Sequence, residues 1–231
     1  MTADTLNPTD LTHGLNYPNE SPEYRAARKA LLREEIDLRR HLERVAAQRR
    51  ALPLGGEVKD YQFMSATGPV RLSEVFEKGK NSLITYNWMF GPERKDSCAS
   101  CAAFLDGLDG AIPHVSQRVN FAVIARSPIE RMLEYKKSRA WRNFRMLSSG
   151  DNTFNSDYFA LAPDGVENPM TNVFQLRGGG VRHVWASEMF YAPSDPGQHP
   201  RHNGTLDVLW NLFDLTPDGR GTDWTPQLTY R

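Results

Sequence analysis

Residues 82–105 read SLITYNWMFGPERKDSCASCAAFL, and the architecture turns on this stretch. Ser82 to Phe90 is an apolar run rich in aromatic and β-branched residues. Lys80-Asn81 bounds it on one side and Gly91-Pro92 on the other, the pattern of a buried strand. A polar loop, Glu93 to Ser97, leads to Cys98. Phe104, Leu105, Leu108, Ile112 and Val115 then follow at helical spacing, with Gly107, Gly110 and Pro113 making that helix irregular. Val119 to Ala125 (VNFAVIA) reads as a second buried strand, and Ser127-Pro128-Ile129-Glu130 as the capped start of a helix running to about Arg139. Strand, helix and strand in this order make a parallel crossover unit.

Working outward, 141–164 is mixed and loop-like. Asn172 to Leu176 and Val181 to Ala186 flank Arg177-Gly178-Gly179-Gly180 and read as a hairpin, followed by a short helix over Thr205 to Phe213. Upstream, Tyr61 to Met64 and Val70 to Leu72 are short strands around a Thr67-Gly68-Pro69 turn, with a brief helix at Ser73 to Phe76. Ser21-Pro22-Glu23 is a helix start, with a hydroxyl cap, proline in the first turn and an acid beside it. The helix runs to about Arg50, and Tyr24, Leu31, Leu38 and Val45 recur every seven residues along it. The expected fold class is α/β, a mixed sheet flanked by helices with a long N-terminal helix extension. The expected divisions are an arm over 1–20, the helix over 21–52, the main domain over 53–220 and a tail over 221–231.

Composition narrows the function. Hydrophobic residues are 39% and charged residues 24% of 231, an ordinary globular balance. Lys and Arg number 28 against 28 acids, so neither nucleic acid nor an anionic membrane is an expected partner. No stretch approaches the length of a membrane span. The polar, acidic opening lacks a secretory or transit pattern, so a cytoplasmic location is expected. The N-terminal helix is locally basic, with nine Lys or Arg against five acids between Glu23 and Arg50. Packing on its own domain or on a sister subunit, giving a homodimer, is the expectation for it.

The chain has two cysteines, Cys98 and Cys101. They lie where a loop leaves a buried strand and a helix begins. Unpaired N–H groups and the helix dipole there lower a thiol pKa and sharpen its nucleophilicity. The spacing lets the second sulfur resolve a mixed disulfide on the first. Cys98 is therefore the expected attacking thiol and Cys101 the resolving one, with a thiol or disulfide as substrate and no cofactor. Two other readings stay open. The cysteines could be inert in a binding module, or they could be half of a metal site completed by His199 and His202. A closed zinc site wants four ligands, so no metal is assigned.

Trp88-Met89-Phe90-Gly91-Pro92 with Ser97-Cys98-Ala99-Ser100-Cys101 resembles a bacterial family of uncharacterised thioredoxin-like proteins. The likeness runs from about 23 to 220, through Val123 to Pro128, Leu133 to Lys136, Ser148 to Gly150, Asn155 to Tyr158 and Phe213 to Pro217. It implies a thioredoxin-like fold and a dithiol site at Cys98 and Cys101. This chain lacks the proline the family usually carries between the cysteines. In the thioredoxin fold a cis proline faces the pair, and Pro169 stands at that place in the order. Peroxiredoxins share the fold and place a proline and then a Thr or Ser ahead of the reactive cysteine. Gly91 and Lys95 hold those positions here, so a standard peroxiredoxin is not expected. Trp88 and Phe90 are expected to wall the substrate site, and Arg126, at the carboxyl end of the second strand, to meet a substrate carboxylate or the thiolate. Asp157 and Tyr158 are placed on a segment folding over the site.

Overall fold

The crossover unit around the cysteines is the centre of a mixed sheet of seven strands among the described residues of the computed structural model. The structure describes residues 16–193, 195–196, 204–221 and 223–230. His199, His202 and most of the expected N-terminal arm lie outside them. The chain divides into two units, 1–53 and 54–231.

The first unit holds α1 (Pro22–Ala51), a helix of 30 residues. Ser21 caps it, its hydroxyl accepting the Tyr24 N–H at 3.1 Å, and Arg49 and Arg50 oppose the dipole in the last turn. No residue of α1 is buried, and Leu38 on its sevenfold seam is 60% exposed.

The second unit runs β1 (Gln62–Ser65), β2 (Gly68–Arg71), β3 (Ser82–Asn87), α2 (Ala99–Asp109), α3 (Ile112–Val115), β4 (Asn120–Ala125), α4 (Ile129–Ser138), β5 (Arg145–Ser148), α5 (Phe154–Asp157), β6 (Met170–Arg177), β7 (Gly180–Ala186) and α6 (Val208–Phe213). The sheet order is β2-β1-β5-β4-β3-β6-β7. Strands β3, β4 and β5 are parallel, whereas β6 runs antiparallel to β3, and β7 to β6. This is the thioredoxin-like order, with a third parallel strand beyond β4 and a hairpin, β1–β2, on its outer edge.

Helices cover both faces of the sheet, which is why β3 and β4 read as unbroken apolar runs. Val123 and Ala125 join one core cluster with Tyr86, Cys101, Leu105 and Met132. Ala122 and Ile124 join the other with Phe63, Leu83, Phe154 and Phe174. Side chains alternate across a strand, so neighbouring residues of β4 feed opposite cores.

Three expectations change. The segment 141–164 holds β5 and α5 rather than a loop. The irregular helix after the cysteines is two helices, broken at Gly110-Ala111. Ser127 does not cap α4; Pro128 holds that place without a side-chain hydrogen bond.

Leu83 is fully buried between the sheet and the second cluster. Leu83→Ala should lower unfolding free energy in urea by ~2–5 kcal/mol through lost burial and a cavity. Leu38→Ala, at a 60% exposed position of α1, should change it by less than about 0.5 kcal/mol.

Candidate active site

Strand β3 ends at Asn87, and the chain crosses to α2 through eleven residues, 88–98, without regular structure. Main-chain bonds fix the start of this loop: Trp88 N–H donates to Ile124 O at 2.7 Å, and Phe90 N–H to Trp88 O at 2.8 Å. Ser127 N–H donates to Phe90 O at 3.0 Å, tying the loop to the end of β4. Arg131 of α4 then takes over. Its guanidinium donates to Gly91 O at 3.1 Å, Ser127 Oγ at 3.2 Å, Lys95 O at 2.8 Å and Arg94 O, and it lies over the Phe90 ring at 4.1 Å. The last tie reaches the cysteines themselves, as Cys98 N–H donates to Met89 O at 3.3 Å.

Cys98 is the cap residue of α2, with extended backbone, and is partly exposed. Cys101 lies one turn into the helix and is buried. Both are free thiols. The Cys98 thiol is brought down to about 6: chiefly the Cys101 thiol donates to it, then the N–H groups of Cys101 and Ser100 favour its ionised form, and the Arg94 charge adds to them, all against the cost of burial. Cys101 moves the opposite way. Burial pushes its thiol well up, and the Cys98 sulfur that takes its proton in a hydrogen bond pushes it further. The Tyr86 hydroxyl, buried under the pair, works back by favouring the Cys101 thiolate. One thiol is thus ionised near neutral pH while its neighbour holds a proton.

Trp88 and Phe90 do not wall an open site. They are 1% and 2% exposed and stack on each other at 4.4 Å, with Tyr135 and Trp141 packed against Trp88. The chain turns after Asn87, and both rings fall into the core that carries Cys101. Trp88 instead anchors the cysteine approach, its indole N–H donating to Ser97 Oγ at 2.8 Å. Asp157 and Tyr158 belong to the other face of the sheet. Asp157 accepts from Tyr61 and Lys59, and Tyr158 packs on the second cluster, so neither covers the cysteines. Pro169 directly precedes β6, whose Met170 pairs with Asn87 at the end of β3. Its peptide is trans, as are all those described.

Met89 is the member of the aromatic stretch that reaches open space. With Arg94, Arg126, Leu161, Val166 and Glu167 it lines a cavity of about 360 Å³. Arg126 follows directly on β4 and grips Glu93 through two bonds, of 3.2 and 2.9 Å. Glu167 is a buried carboxylate that the sequence does not announce. It accepts the Gly91 N–H at 3.0 Å and stands 3.9 Å from Arg126 and 4.0 Å from Arg94. Burial pushes its carboxyl up, against the Gly91 N–H and the two arginines. Among the described residues no cluster of three metal-ligating side chains exists, and no helix is long and apolar enough to cross a membrane.

The split acidity of the pair has a direct readout. Alkylation of Cys98 by iodoacetamide should rise with pH through an inflection near 6, where ordinary cysteine titrates at about 8.5. Its rate at pH 5 should be about tenfold below the plateau, since only the thiolate reacts. Mass spectrometry should find Cys101 unlabelled across the same range.

Solved structures resemble parts of the chain. A peroxidoxin, BcpB, from Mycobacterium tuberculosis is 15% identical with a TM-score of 0.44, over 58% of this chain and 84% of its own. A PrxQ mutant from Xylella fastidiosa is 16% identical at 0.44, with the same two shares. An uncharacterized conserved protein from Geobacillus kaustophilus is 15% identical at 0.45, over 76% of this chain and 94% of its own. Comparison with curated proteins finds no match. One family model, described as bacterial protein of unknown function (DUF899), matches residues 15–231, nearly the whole sequence, and the chain belongs to that family.

Proposed function

We propose that the protein is a thiol–disulfide oxidoreductase that cycles Cys98 and Cys101 between dithiol and disulfide. One observation carries this reading: a partly exposed thiol, acidified at a helix N-terminus, is backed one turn away by a buried thiol that keeps its proton. That is the division of labour a two-step exchange needs.

In the first step the Cys98 thiolate attacks one sulfur of a substrate disulfide. A new S–S bond forms as the substrate bond breaks, and the departing thiolate takes a proton from solvent. Once Cys98 is in a mixed disulfide it is no longer an anion, so one of the causes holding up the Cys101 pKa is removed. Cys101 then loses its proton and attacks Cys98 Sγ. The second substrate sulfur leaves and takes up a proton in place of the one Cys101 released. The substrate gains two electrons and two protons, and the pair closes as a disulfide. Tyr86 acts as a positioning residue, its hydroxyl favouring the Cys101 thiolate when the second step needs it. In a reducing cytoplasm the resting form is the dithiol.

Three variants separate these roles. Cys98→Ser should abolish reduction of bis(2-hydroxyethyl) disulfide. Cys101→Ser should accumulate a stable mixed disulfide on Cys98, visible by intact mass. Tyr86→Phe should slow release from the mixed disulfide by roughly threefold to tenfold, as expected for one lost hydrogen bond. Full activity in Cys98→Ser would overturn the reading.

A further inference from the structure

The cavity beside the cysteine loop has an unusual charge arrangement for its size. Two guanidiniums, Arg94 and Arg126, and two carboxylates, the buried Glu167 and the exposed Glu93, stand on its wall, with Met89, Leu161 and Val166 as apolar lining. The Glu167 side chain is 5% exposed, so its charge is held inside the protein. Its Oε2 accepts from Gly91, but Oε1 makes no hydrogen bond, and neither does Arg94 Nε. Both guanidiniums stay at 3.9–4.0 Å from it, within reach of its charge and outside hydrogen-bond distance. Glu167 therefore holds two cations together without consuming their donors.

Gly91 makes this approach feasible. A Cβ on residue 91 would lie 2.6 Å from Glu167 Oε1 and 2.9 Å from Glu93 Oε2. The loop backbone thus lies directly against the buried carboxylate, and the same loop carries Arg94 and delivers Cys98.

The remaining partner of Arg126 is Glu93. Its carboxylate makes the two-pronged contact typical of guanidinium–carboxylate recognition, yet its side chain is 66% exposed and, besides Arg126, its own backbone N–H is what favours the carboxylate. It is tethered to the loop and readily exchanged, because an exposed ion pair contributes little against water and salt.

We propose that Glu93 occupies the place of a substrate carboxylate, and that the cavity takes a small disulfide or thiol bearing a carboxylate, gripped by Arg126 and Arg94. The volume of about 360 Å³ is at the small-molecule end of ligand pockets. Its apolar wall at Met89 suits the short carbon chain between a carboxylate and a sulfur. Met89 O also accepts the Cys98 N–H, so the same residue connects cavity and nucleophile. This specificity rests on the oxidoreductase reading and names the substrate class for it.

The test compares three disulfides on the native protein: dithiodipropionate with two carboxylates, cystamine with two amines, and bis(2-hydroxyethyl) disulfide with no charge. Each rate is normalised to the rate with free dithiothreitol, which removes intrinsic reactivity. Dithiodipropionate should exceed the neutral disulfide by about tenfold or more, as expected for a charge-assisted contact, and cystamine should fall below both. Arg126→Met should collapse the dithiodipropionate advantage. Glu93→Gln, a change at an exposed side chain, should raise it several-fold by clearing the occupant. Thermal unfolding of each variant checks that it is folded. Equal normalised rates for the three disulfides, or an advantage unchanged in both variants, would overturn the carboxylate site while leaving the oxidoreductase intact. No reaction with any of the three would overturn the oxidoreductase reading itself.

Discussion

A single guanidinium holds the loop on which the site depends. Eleven residues link β3 to α2 with no strand or helix to fix them, and Arg131 gathers three of their carbonyls. It satisfies Gly91, Arg94 and Lys95 from one planar fork, reaches Ser127 at the end of β4, and lies on Phe90. Lysine could not do the same, because its point charge lacks the fixed fork geometry. Through this one side chain, α4 sets where Arg94 points and where Cys98 starts the next helix. The glycine at 91 is part of the same constraint, giving the loop room to lie flat against Glu167.

Beneath the loop the parallel pairing of β3 with β4 sets the distances. The register puts Asn87 beside Ile124, so the chain leaves both strands on the same edge. Residues leaving β3 and residues leaving β4 therefore meet: Met89, Glu93 and Arg94 from one, Arg126 and Ser127 from the other. This is the usual place for chemistry in an open α/β sheet. The cysteine pair and the arginine cavity are both consequences of that shared edge.

How much of this the sequence discloses depends on whether local pattern or tertiary contact makes each element. SLITYNWMF and VNFAVIA are legible because a strand covered on both faces must be apolar throughout. Helix α1 is legible from its cap and its sevenfold seam. Strand β5 is not legible. It is four residues, RMLS, whose extended form comes from pairing with β4 and β1, and its Arg145 donates to Val75 O. At the site, the cysteines stand out by type and spacing, and Arg126 by its place at a strand end. Glu167 could not stand out, since it lies in a polar, turn-rich stretch and becomes special only when Gly91 comes against it. Trp88 and Phe90 mislead for a related reason. Alternation assigns faces only while a strand continues, and this one ends a residue earlier.

The opposed acidities of Cys98 and Cys101 follow from their places on one helix, the first at its end and the second one turn inside. The outer sulfur meets the N–H groups of Ser100 and Cys101 and the Arg94 charge, while the inner one is enclosed by the core beside the Tyr86 hydroxyl. A reagent arriving from solvent therefore meets the sulfur that carries the charge before the one that carries the proton.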